Sequence, residues 1–241
     1  MLRVLPTASL ILLLVVQRSG QHLAQTPEKP AKPLTLTQVW TLDATYTDNQ
    51  HGVTFRYPST WEATTQIAHH PPALTVSDAK PIAGFGYSEG GFPRNRIVGP
   101  YSETNLEGVG IVYSAVPVTS AAKCEAKAAS LSDSPKHSVT FGHHLFTAHE
   151  TSEAGMSQSI EGDLYAAYVG STCYLFETDV ASASQAVLDN IQALTPAQLR
   201  DIHTHLLNIM KSVRVSPTAR STPRDVRPQT QSTGRTNGRD V

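Results

Sequence analysis

Residues 46–61 read Tyr46-Thr47-Asp48-Asn49-Gln50-His51-Gly52-Val53-Thr54-Phe55-Arg56-Tyr57-Pro58-Ser59-Thr60-Trp61. Val53, Phe55 and Tyr57 alternate with Thr54 and Arg56, the period-two pattern of a strand with one buried face. Pro58, which has no amide hydrogen to offer, ends it. Asp48, Asn49 and Gly52 supply turn chemistry just ahead, so the chain is expected to double back from an earlier strand at residues 40–46 and form a hairpin. Phe55, Tyr57 and Trp61 bracket Pro58, and rings gathered this closely seed a core rather than a binding surface.

Outward from this hairpin, the two ends of the 241-residue chain differ in character from its body. Met1-Leu2-Arg3, the apolar run from Ala8 to Val16 and the polar segment Gln17–Gln25 have the layout of a secretory signal peptide, with cleavage expected after Ala24. The apolar run is half of the roughly 20 residues that a spanning helix needs, so no transmembrane segment is expected after cleavage. Residues 25–38, with Pro27, Pro30 and Pro33, read as an extended linker, residues 39–215 as one domain, and residues 216–241 as a disordered tail poor in apolar side chains. The expected location is secreted or periplasmic.

The chain carries 19 Lys and Arg against 20 Asp and Glu. Setting aside Arg3, Arg18 and the five arginines and two aspartates after Val215 leaves 12 basic and 18 acidic groups, a body charge of −6. Nucleic acid is excluded as the main partner, because phosphate contacts need clustered cations. Two cysteines occur, Cys124 and Cys173. In an exported chain they are expected to form one disulfide, worth about 3–4 kcal/mol for a loop of this length; a pair of buried free thiols is the other reading.

Within the body, residues 62–66, 73–77 and 82–87 are short strand candidates, residues 69–72 (His-His-Pro-Pro) a loop, and residues 90–101 a long irregular segment. Gly108–Val116 reads as a central strand, apolar on both faces. A helix over residues 121–131 follows a hydroxyl cap at Ser120, and extended segments are expected at residues 138–149, 159–169 and 172–177, the last two joined by Gly170-Ser171 as a hairpin. A weak helix is expected over residues 184–193. Thr195-Pro196 with Gln198 forms a capping box opening a helix whose apolar stripe is Leu199, Ile202, Leu206, Ile209 and Val213.

The fold class these elements define is α+β, an antiparallel β-sheet packed by helices. With Asp48, Gly52, the Phe55-x-Tyr57-Pro58-x-x-Trp61 signature and the closing Ile209-Met210-Lys211-Ser212-Val213-Arg214-Val215, the chain resembles the PsbP-like family. That resemblance covers residues 39–215 and implies an α/β/α sandwich, exported and used for binding or assembly; it brings no catalytic residues with it.

Three constellations could carry chemistry. Gly86-Tyr87-Ser88-Glu89-Gly90 matches the nucleophile-elbow pattern, with Asp179 and His203 or His205 following in α/β-hydrolase order. Gly90, Gly91 and Pro93 would break the helix that such an elbow requires. Among ten histidines, His143, His144 and His149 share a strand region, His69 and His70 a loop, and His203 and His205 a helix; no i, i+4 pair suits a metal, and no metal or cofactor is expected. Glu161 and Asp163 share a strand face with Glu150 and Glu153 nearby, which suits a solvated face better than a glycosidase pair. The expectation is a non-enzymatic binding or assembly module for an unidentified protein or small-molecule ligand, with Phe92, Arg94, Arg96 and Tyr101 as the contact region. A serine hydrolase using Ser88, Asp179 and His203 is the alternative.

Overall fold

A computed structural model describes residues 34–64, 81–88, 99–132, 137–155, 157–184 and 191–216. The leader, most of the linker, the tail beyond Ser216, the strand expected at residues 73–77, His69, His70, Phe92, Arg94 and Arg96 lie outside them.

The described chain opens with a short helix rather than a strand. Thr35 Oγ1 accepts a hydrogen bond from the Gln38 amide, and the Gln38 side chain accepts from the Thr35 amide, a capping box that starts α1 (Leu36–Trp40) inside the expected linker. Trp40 therefore ends a helix, and β1 begins only at Ala44–Asp48. β1 pairs antiparallel with β2 (Val53–Tyr57), Tyr46 opposite Phe55, as the alternation requires. In the connecting turn Asp48 Oδ1 accepts from the amides of Gln50 and His51, and Gly52 adopts φ +67°, a conformation that side chains disfavour.

A seven-stranded antiparallel sheet forms the centre. In spatial order it runs β3 (Glu62–Thr64), β4 (Ala83–Ser88), β5 (Leu106–Pro117), β9 (Thr172–Ala183), β8 (Gln158–Val169), β7 (His144–Ala154) and β6 (His137–Phe141). Gly170 turns at φ +67° between β8 and β9, as expected of the Gly-Ser connection. The segment expected to be continuous at residues 138–149 is instead the β6–β7 hairpin, because Gly142 takes φ +59° and reverses the chain. β9 continues past Glu177 to Ala183, carrying two acidic residues through the middle of the sheet. Most of the helix expected over residues 184–193 lies outside the described residues; Gln192, near its end, forms an isolated parallel bridge with Thr104.

Register assigns the faces, since directly opposed residues on neighbouring strands project to the same side. On one face stand Phe85, Ile111, Tyr113, Phe176, Tyr165 and Phe146. They are buried with Phe55 of β2 and with Ile202, Leu206, Ile209 and Met210 of α3 (Pro196–Ser212), in one cluster. Aromatic edges lock it: the Phe55 ring lies 5.4 Å from Phe85 at 89°, and Tyr113 stacks on Phe176 at 5.0 Å. α3 leads into β10 (Arg214–Val215), which pairs with β2 and completes a three-stranded sheet with β1.

On the other face α2 (Ala121–Ala129), capped by Ser120, lays Cys124 and Ala128 over Leu164, Ala166, Cys173 and Leu175. Cys124 and Cys173 are joined in a disulfide with Cα atoms 5.2 Å apart. The molecule is thus α+β, with antiparallel sheets and helices on both faces of the larger one.

Candidate functional site

The face that carries α2 also holds five buried polar residues beyond the apolar patch: Ser114, His149, Thr151, Glu177 and Asp179. The pairing of six strands places Glu62, Gly86, Gly110, Asp179, Gly162 and Thr151 in one transverse row. Asp179 is flanked on both sides by glycine. The adjacent row runs Gly84, Val112, Glu177, Leu164 and His149, so Glu177 stands on the same side as Asp179, two residues earlier on β9. Gly108 lies in the row beyond, opposite Ser88.

Glycine at these positions has a local cause. A Cβ at Gly162 would meet the Thr178 carbonyl oxygen at 1.8 Å, and one at Gly108 would meet the Tyr87 carbonyl oxygen at 2.9 Å. At Gly108 and Gly162 the neighbouring backbones approach too closely for a side chain, and the rows around the Asp179 carboxyl are poor in side chains and largely buried.

Asp179 is 3% exposed, and its Oδ1 makes no hydrogen bond; neither does Thr151 Oγ1 in the same row. Burial pushes the Asp179 carboxyl up to about 7, since the ionised form loses its hydration without gaining a donor. Among the described residues no group of three or more His, Cys, Asp and Glu side chains is placed to hold a metal ion.

The candidate triad is not assembled. Ser88 and Asp179 share a face, but they are two strands and one row apart, about 12 Å between backbones at ordinary sheet spacings. His203 belongs to α3 on the opposite face, where its Nε2 lies 3.9 Å from Glu161. His205 stacks on Trp40 at 4.6 Å and faces Asp201 at 3.6 Å. The sheet itself separates base from nucleophile.

Of the proposed contact residues, Tyr101 is 3% exposed and its hydroxyl accepts from Trp40 Nε1 at 3.2 Å. It is a core residue, because the ring packs with Trp40 in the main cluster. Glu161 and Asp163 share a face as expected; Glu161 is exposed, and Asp163 accepts from the Tyr165 hydroxyl at 3.0 Å. His143 sits exposed in the β6–β7 turn, whereas His144 Nε2 contacts the Val215 carbonyl at 2.7 Å, fastening β10.

A second polar group lies on the α3 face. His51 Nδ1 contacts Asp48 Oδ2 at 2.6 Å, and the hydroxyls of Tyr113 and Tyr174 donate to Asp48 and to the His51 carbonyl. Burial alone would push Asp48 upward, but the hydrogen bonds from the His51 ring and amide hold it below the usual carboxylate range. These bonds tie the β1–β2 turn to Tyr113 of β5 and Tyr174 of β9, a structural role.

Glu177, Thr151 and the glycine rows were not singled out from sequence. Two signals carry them: Glu177 and Asp179 interrupt an apolar run at the same parity, and Gly84-x-Gly86 and Gly108-x-Gly110 repeat at the strand period.

No protein-family model matches this chain, and no curated protein matches it. Among solved structures it is similar to the Ran-binding protein Mog1p of Saccharomyces cerevisiae, at 9% identity and TM-score 0.39, covering 73% of this chain and 96% of that one. It is also similar to LpqN of Mycobacterium tuberculosis, described as involved in cell envelope biogenesis, at 9% identity and TM-score 0.38, covering 77% of this chain and 90% of that one. No helix among the described residues is long and apolar enough to cross a membrane.

Proposed function

We propose that this chain is an exported, non-enzymatic binding module that receives its ligand on the glycine-rich polar face of the seven-stranded sheet. The observation that carries the reading is the Asp179 carboxyl, buried between Gly110 and Gly162 with Oδ1 lacking any hydrogen bond. A native fold does not retain such an atom for stability, since an unmade buried hydrogen bond costs about 1–3 kcal/mol. A ligand that supplies the missing donor accounts for it. The disulfide accords with an oxidising compartment, and the amino-terminal residues with export.

The test is native mass spectrometry of the exported protein, recovered without denaturation from its own host. A bound small molecule or protein on the wild type, lost when Gly110→Leu fills the row, is the expected result. A preparation that carries nothing and retains nothing from host extract overturns the module. Covalent labelling of Ser88 by a fluorophosphonate probe would instead establish the hydrolase.

A further inference from the structure

We propose that β6 is a self-association edge, through which two copies of the chain join their seven-stranded sheets by antiparallel β6–β6 pairing. Among the described strands β6 has a neighbour on one side alone, β7. Phe141 and His144 close the two-residue Gly142-His143 turn, and the closing pair of such a hairpin exchanges both main-chain hydrogen bonds, as does every second pair after it. His137, Val139 and Phe141 therefore direct their amides and carbonyls to β7, while those of Ser138 and Thr140 point outward. Soluble proteins blunt such edges with charge, proline or brevity. The opposite edge follows that rule, since β3 is three residues long and starts at the exposed Glu62. β6 does not: His137-Ser138-Val139-Thr140-Phe141 contains no Asp, Glu, Lys, Arg or Pro. Leu145, 66% exposed, stands opposite Thr140 on the adjoining strand, so an apolar side chain lies open beside the same edge.

A second copy fits this edge in pairing and in charge. A two-fold axis through Val139 sets Ser138 of each copy opposite Thr140 of the other, so the residues with outward main-chain groups meet, making about four hydrogen bonds and two hydroxyl pairs. Val139, which packs half-buried against the main cluster beside Phe146, meets its own counterpart and lengthens that row. A body of charge −6 repels its copies, so a self-contact has to be neutral or join opposite charges. The antiparallel arrangement carries the β6–β7 turn of one copy, where Arg214 packs on Gly142, toward the far part of the other's β7, where the exposed Glu150 shares the face of Phe146. A five-residue strand pair is smaller than the roughly 800 Å² per partner of a standard interface, so the dimer is expected to dissociate at on the order of 10–100 µM.

The experiment is sedimentation equilibrium of the folded, disulfide-intact chain at pH 8 over about 5 µM to 1 mM, with far-ultraviolet circular dichroism confirming that each variant is folded. Ser138→Lys together with Thr140→Lys sets like charges opposite one another and should weaken the dimer by about tenfold or more; Ser138→Lys with Thr140→Glu sets opposite charges there and should restore it. Both residues are exposed, so neither change disturbs the core. Thr140→Pro removes one outward amide from each copy without touching a β6–β7 bond and should weaken the dimer as well. A wild type that stays monomeric at about 1 mM overturns the proposal, whether the edge is left open or taken by a strand of another protein. A dimer equally strong in the double-lysine variant, or equally weakened in the lysine and glutamate variant, also overturns it.

Discussion

Gly162 and Asp179 stand directly opposite one another on β8 and β9, and the space between the strands there admits a hydrogen atom but not a methyl group. A Cβ at residue 162 would lie 1.8 Å from the Thr178 carbonyl oxygen and 3.3 Å from Asp179 Cα. Backbone on both sides of the contact must separate to admit it, and this occurs in the longest pairing of the sheet. Gly162→Ala is expected to cost about 3 kcal/mol or more, at the upper end of overpacking substitutions. Chemical denaturation with far-ultraviolet circular dichroism checks it. A variant within about 0.5 kcal/mol of wild type would mean that the two strands are not this close.

Asp179 makes stability depend on pH in the direction opposite to an ordinary surface carboxylate. Its folded-state value is raised from 3.8 to about 7, so the folded chain holds a proton that the unfolded chain has already released. The stabilising contribution is full below about pH 4, is lost as pH rises toward 7, and is flat above. Asp48, held low by His51, acts oppositely: its contribution is present at neutral pH and disappears under acid. Asp179→Asn should therefore raise Tm at pH 8 and change it little at pH 4. Equal shifts at both values would show that Asp179 is not the group responsible.

Periodicity sufficed to place β2, β5, the β8–β9 hairpin, α2 and α3, because each is a local pattern with its own cap or turn. Thr195 with Gln198 and Gly170 with Ser171 are legible in this way. The polar face was not legible, because it exists only once register is known. Asp179 was nominated for its order along the chain after Ser88, and that order says nothing about the sheet between it and His203. Tyr101 looked like an interface aromatic because its glycine-rich and proline-rich surroundings suggested a loop, yet Trp40, 61 residues away, buries it. The period-two glycines offered a usable hint of the site, and their common face follows from pairing alone.

The Cys124–Cys173 disulfide fastens α2 to β9 across a separation of 49 residues. Both residues are buried among Ala128, Leu164, Ala166 and Leu175, so the link lies in a small cluster away from the main aromatic core. Cys124→Ser with Cys173→Ser should lower stability by about 3–4 kcal/mol while leaving the main core folded. The check is urea denaturation together with near-ultraviolet circular dichroism. An unchanged midpoint would show that α2 is held by its apolar contacts alone.

Phe55 is the contact through which the small sheet engages the large one. Its ring is fully buried and meets Tyr46 at 5.2 Å, Phe85 at 5.4 Å and Phe176 at 6.2 Å, joining β1 and β2 to β4 and β9. Leu206 of α3 belongs to the same cluster, so helix and hairpin bury their apolar sides together. Phe55→Ala removes the ring from a site walled by other rings and by α3, leaving little scope for collapse, and is expected to cost about 3–5 kcal/mol; Leu206→Ala should cost about 2–5 kcal/mol. If hairpin, helix and sheet share one core, each variant should shift the far-ultraviolet and aromatic near-ultraviolet transitions together in denaturant. Separate transitions, with the hairpin lost first and the sheet unaffected, would mean that the two sheets are stabilised independently.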